Sequence, residues 1–164
     1  MNDIPAAATR VVEAAESLGL PVSVRIMAET TRTAEEAAAA CGCAPGAIVK
    51  SLIFQGRTSG RAYLFLVSGK NRLSEKKAAA ATGEPVVRPD ARFVRTVTGF
   101  AIGGIPPIGH LTPLVPFIDE DLLHFETVWA AAGTPNAVFP IDPRALLAAT
   151  GGVAADVREE TTPS

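Results

Sequence analysis

A lysine interrupts the apolar run Ala47-Ile48-Val49-Lys50-Ser51-Leu52-Ile53-Phe54. The run is rich in β-branched and aromatic residues, the composition of a strand. Strand side chains alternate, so Lys50 shares a face with Ile48, Leu52 and Phe54. An ammonium aimed among apolar groups must find a partner, shift its pKa or line a cavity. The other reading is an edge strand whose lysine snorkels to solvent or blocks pairing. The second candidate is the loop Gly99-Phe100-Ala101-Ile102-Gly103-Gly104-Ile105-Pro106-Pro107-Ile108-Gly109. Paired glycines let a ligand approach the backbone and leave N–H groups free to donate. The prolines stiffen the loop and preorganise those donors. Its spacing is neither a Walker loop nor a dinucleotide fingerprint, and a plain turn between strands is the alternative.

Other chemistries find less support. Cys41-x-Cys43 with His110 and His124 supplies no second ligand pair at zinc-site spacing. No metal and no cofactor is therefore expected. Cys41, near the end of an alanine-rich helix, reads as a packed small residue. No Gly-x-Ser-x-Gly elbow is present. Asp119-Glu120-Asp121 suits a cation, a solvated turn or a helix cap.

The elements that must position these residues are well punctuated. Residues 5–18 read as an amphipathic helix stopped by Gly19, and 21–27 alternate as a strand. Thr33 and Glu36 form a capping box for a helix ending at Gly42. Strands at 47–55 and 62–68 pair as a hairpin, and the second, apolar on both faces, belongs in the sheet centre. Ser74 caps a short helix ending at Gly83, and Asp90 caps another through Arg95. Strands at 114–118, 127–131 and 137–141 follow, then a helix with Asp142 as cap, Pro143 first and Gly151 as stop. A strand at 153–157 precedes a polar tail, 158–164, expected to be loose. Hairpins mixed with helices predict one α+β domain over 1–157 with a mixed sheet.

The 164 residues, 48% hydrophobic and 20% charged, suffice for one globular core. No stretch approaches the roughly 20 apolar residues of a membrane helix. Met1–Pro5 lacks the pattern of a signal peptide, and two adjacent cysteines staple nothing, so a reduced, cytoplasmic setting is expected. Charge is uneven. Residues 44–112 hold ten Lys/Arg against three acids, and the remainder five against fourteen. A flank that touches a phosphate backbone has this balance, and so does an ordinary solvated face. Lys76 and Lys77 also sit in a helix's first turn, where the dipole disfavours cations.

Three ordered segments together resemble a known family. They are Thr31-Arg32-Thr33-Ala34-Glu35-Glu36-Ala37-Ala38, Cys43 through Phe54, and Thr98 through Gly109. Leu114–Asp119, Gly133-Thr134 and Asp142-Pro143 leading to Leu146 add agreement. The chain is similar, from about residue 20 to 157, to the YbaK/EbsC family, relatives of the editing domain in bacterial prolyl-tRNA synthetases. The resemblance implies a single α+β domain with a partly curled mixed sheet. It implies a freestanding deacylase that hydrolyses mischarged aminoacyl-tRNA, most often tRNA for proline carrying a small wrong amino acid, with prolyl-tRNA synthetase as implied partner.

On this resemblance Lys50, Gly103 and Gly104 are the catalytic candidates. Thr31, Ser51, Ile105, Pro106, Pro107 and Gly133 are the substrate-binding candidates. The charge pattern adds Lys70, Arg72, Lys76 and Lys77 as tRNA contacts. Ester hydrolysis places negative charge on the carbonyl oxygen, where the amides of Gly103 and Gly104 would donate. A side chain at Gly104 is expected to intrude on that carbonyl. The cysteine-specific branch carries an acid in the strand after the late glycine turn, and Ala137-Val138-Phe139 has none, which argues against cysteinyl-tRNA. A non-catalytic tRNA- or nucleotide-binding module and an amino-acid-binding protein stay as alternatives.

Overall fold

Local signals start and stop the helices as the sequence implies. The computed structural model describes residues 4–28 and 33–160. Helix α1 (Ala6–Ser17) buries Ala8, Val11 and Ala15 on one stripe. The Thr33 side chain caps α2 (Ala34–Cys41) by accepting from the Glu36 amide, and Gly42 ends it. Ser74, Asp90 and Asp142 cap α3 (Glu75–Thr82), α4 (Ala91–Thr98) and α5 (Pro143–Thr150) in the same way. Helix α4 runs three residues past the expected Arg95, to Thr98 before Gly99.

The expected strand over 21–27 shrinks to β1 (Arg25–Ile26). Only Arg25 and Ile26 pair with β7 (Ala137–Ile141), opposite Val138 and Ala137. β2 (Val49–Gly56) and β3 (Ala62–Ser68) form the expected antiparallel hairpin, from Val49 opposite Ser68 to Gln55 opposite Ala62. β4 (Val86–Val87) pairs only with Gln55 and Gly56. β5 (Phe117–Asp119) and β8 (Val153–Ala155) join in parallel, giving a mixed sheet of order β4-β2-β3-β5-β8. A second sheet, β1-β7-β6 with β6 at Val128–Ala131, meets the first where Ile48 bridges to Trp129. The molecule is α+β.

β3 lies inside its sheet because both its faces are apolar. Leu64 and Leu66 enter the main core with Val11, Phe100, Phe139 and Leu146. Phe65 and Val67 face the other way, with Phe54 and Val157. There Phe54 meets Phe65 edge-on at 5.8 Å and Phe117 stacks on Phe65 at 5.4 Å.

The Asp119-Glu120-Asp121 turn takes one of its expected roles, the cap, with Asp119 and Asp121 buried rather than solvated. The chain from Arg158 to Glu160 is held rather than loose. Arg158 pairs with Asp121 at 2.5 Å, the Glu159 amide donates to the Arg72 carbonyl, and Glu160 pairs with Lys77. Residues 161–164 lie outside the described residues.

Candidate functional site

Lys50 occupies the first half of β2, where the edge away from β3 has no β4 partner. Its side chain is half-buried, and its Nζ donates to the Asn71 carbonyl. Burial pushes the ammonium's pKa down, Glu35 and Asp119 pull it up, and Arg72 adds to the lowering. Asn71 is itself anchored. Its amide nitrogen donates to Asp119 Oδ2 at 2.8 Å and Asp121 Oδ2 at 2.9 Å. Those bonds, with Arg158, hold the Asp121 carboxyl below the usual carboxylate range. The ammonium therefore has a fixed acceptor whose own position is set by two buried carboxylates.

Lys50 lines a pocket of about 190 Å³ at the seam between the two sheets. Ile48, Trp129 and Val138 give it apolar walls, and Ala34 and Ala37 of α2 leave room by being small. Gly103 and Pro135 reach it from the loops. The two most informative features of the sequence, one on a strand and one on a loop, thus meet in one cavity.

The paired glycines divide their roles. The Gly104 amide donates to Ala101 O at 3.2 Å, closing a turn in which Gly103 has φ +104°. That third turn position takes a positive φ, which glycine adopts without strain. Among the described residues no hydrogen bond occupies the Gly103 amide. A Cβ on Gly104 would stand 2.7 Å from Thr134 Cα and 2.8 Å from Thr134 N. The expected clash at Gly104 is therefore with the backbone of a neighbouring loop, not with a ligand in the pocket. Gly133 is packed likewise, its missing Cβ lying 2.9 Å from atoms of Ala7.

The other candidates scatter. Ser51 lines a neighbouring cleft with Arg88, Ile102 and Ile105, and its Oγ is buried with no hydrogen-bond partner among the described residues. Ile105, Pro106 and Pro107 are buried and support the loop. The Pro106 carbonyl meets His110 Nε2 at 2.7 Å, while burial lowers that imidazole's pKa. Thr31 lies outside the described residues. Lys70 and Lys76 are exposed. Arg72 stands 4.0 Å from Glu159, and Lys77 pairs with Asp156 at 2.9 Å and Glu160 at 2.7 Å. The charge conflict at the start of α3 therefore has an internal answer.

Sequence reasoning missed Trp129, Val138, Pro135 and Asn71. The register of β6 on β7 sets Ala131 opposite Val138, and Trp129 lies two residues from Ala131 on the same face. The alternation of β6 and the chain's single tryptophan were the available signals. Arg25 covers that ring, its Cζ 4.7 Å from the centroid. Asn71 carried no local signal, because its partners are 48 and 50 residues away.

Residues 28–149 match the model of the aminoacyl-tRNA editing domain. Among curated proteins the chain is 29% identical to YwhH of Bacillus subtilis (strain 168) over 117 residues, covering 71% of this chain and 74% of that one. It is 27% identical over 126 residues to EbsC of Enterococcus faecalis (strain ATCC 700802 / V583), covering 76% of each and provisionally named a Cys-tRNA(Pro)/Cys-tRNA(Cys) deacylase. A solved structure provisionally described as a trans-editing enzyme for prolyl-tRNA synthetase superposes with a TM-score of 0.91 at 50% identity, covering 96% of this chain and all of that one. The hypothetical protein APE2540 superposes at 0.85 with 36% identity over 92% and 99% of the two chains. With a fold shared over nearly its whole length and a family match across most of it, the chain belongs to the aminoacyl-tRNA editing domain family.

Proposed function

We propose that the protein is an aminoacyl-tRNA deacylase acting in trans, hydrolysing the ester between a small, uncharged wrong amino acid and the terminal ribose of a tRNA, with tRNA for proline as the preferred carrier. The observation that carries this reading is the meeting of Lys50 and the Gly103 turn in one small pocket. The family relatives support the ester and the tRNA.

The chemistry follows from charge. Attack of water on the ester carbonyl forms a C–O bond and places negative charge on the carbonyl oxygen. The unoccupied Gly103 amide and the nearby ammonium of Lys50 are donors suited to that oxygen, and one well-placed donor lowers such a barrier by about 3–4 kcal/mol. The ester C–O bond then breaks, and the ribose oxygen leaves with a proton derived from the water. Among the described residues no carboxylate or histidine lines the pocket to act as base. The substrate's neighbouring ribose hydroxyl takes that part. The apolar walls of Ile48, Trp129 and Val138 favour an uncharged side chain, and a volume of about 190 Å³ suits a small one.

A panel of misacylated tRNAs tests the reading. Release of small uncharged amino acids from tRNA(Pro), with charged and large ones retained, is the expected result. No release from any member, or equal release of the amino acid from every tRNA, would contradict it.

A further inference from the structure

We propose that the exposed face of α4 and the outer side of the Ala101–Gly104 turn form the track for the tRNA acceptor end, with Arg92 and Arg95 holding its phosphates. The proposal rests on the deacylase reading for the identity of the strand, and on the following geometry for its path.

Arg92 and Arg95 are exposed and line one groove with Ala101 and Ile102. Ile102 is 61% exposed, an aliphatic surface beside two cations. The same Ile102 borders the adjoining cleft that holds Ser51 and Arg88. The next residue, Gly103, lines the Lys50 pocket. Three depressions therefore meet at Ile102–Gly103, and a strand ending in the Lys50 pocket would run past this turn onto α4.

The charges point the same way. Among the described residues no carboxylate pairs with Arg88, Arg92 or Arg95. The acid beside α4, Asp90, accepts from the Phe93 amide as the helix cap. Of the four basic candidates read from the sequence, Lys77 and Arg72 face carboxylates of the C-terminal segment, which leaves Lys70 and Lys76 as the competing cations. Guanidiniums with no carboxylate partner among the described residues, next to an exposed apolar residue, suit a phosphate chain carrying stackable bases.

The test is the salt dependence of binding an uncharged tRNA(Pro) transcript by the full chain. Each single-strand phosphate contact contributes about 0.7 to the slope of log affinity against log salt. The double variant Arg92→Gln, Arg95→Gln should flatten the slope by about 1.4 units. The pair Lys70→Gln, Lys76→Gln should leave it as it is. An unchanged slope in the arginine variant overturns the proposal, and flattening in the lysine variant instead places the strand at the loop after β3. Wild-type turnover of an alanyl ester of adenosine is measured separately. Its absence alongside a flattened slope would remove the deacylase reading and leave the binding track standing.

Discussion

At Lys50 the cost of half-burying an ammonium is met by the Asn71 carbonyl, held in place by Asp119 and Asp121. Burial still dominates and lowers the lysine's pKa. A lysine whose folded pKa lies below its unfolded value binds fewer protons when folded, so stability rises with pH up to about 10.5. Lys50→Met should abolish that rise and melt no lower than the wild type, as read by thermal melts from pH 7 to 10.5. Gly104 is the second residue whose role the geometry defines. Gly104→Ala pushes a methyl against the Thr134 backbone, and overpacking of this kind costs about 1–3 kcal/mol. Urea unfolding should show that loss directly. Lys50 and Gly103 were legible because each breaks a local pattern, a charge in a strand and a glycine pair before prolines. The commitments of Gly104 were not: its amide closes a turn on Ala101 O, and its missing Cβ faces the 133–134 loop, which only the folded chain brings near.

The elements were legible wherever short-range chemistry defines them. Thr33, Ser74, Asp90 and Asp142 cap four helices from positions the sequence marks. β1 was overlong in the sequence reading because alternation does not show which residues of 21–27 pair with β7. The hairpin that carries Lys50 is closed at its far end by Glu84. Its carboxylate accepts from the Thr58 and Ser59 amides, the Ser59 hydroxyl and the Tyr63 hydroxyl. Those donors lower its pKa from 4.5 to about 2. A carboxylate with a depressed folded pKa contributes stability above 4.5 that is lost as pH falls toward about 2. Glu84→Ala should therefore speed amide exchange at Thr58 and Ser59 at neutral pH. It should also remove part of the fall in melting temperature over that acid range.

In the whole molecule the pocket exists because two sheets meet where Ile48 bridges to Trp129, with α2 and the Gly103 turn closing its sides. The C-terminal segment is part of that assembly. Arg158 reaches Asp121, which in turn holds Asn71. A tail of polar residues reads as loose in sequence because such pairings link positions 37 residues apart. The class of the fold and the family were legible from the order of three motifs, while the apolar walls of the pocket emerge only when β6 and β7 are in register. The proposed role of Lys50 lies in the reaction and not in the fold. It is tested by single-turnover release of alanine from misacylated tRNA(Pro), measured for wild type and Lys50→Ala alongside their melting temperatures. A fall in rate of at least about a hundredfold is expected, the scale of one lost oxyanion donor, with the melting temperature unchanged or higher. Full activity in the variant, or a variant that fails to fold, would contradict it.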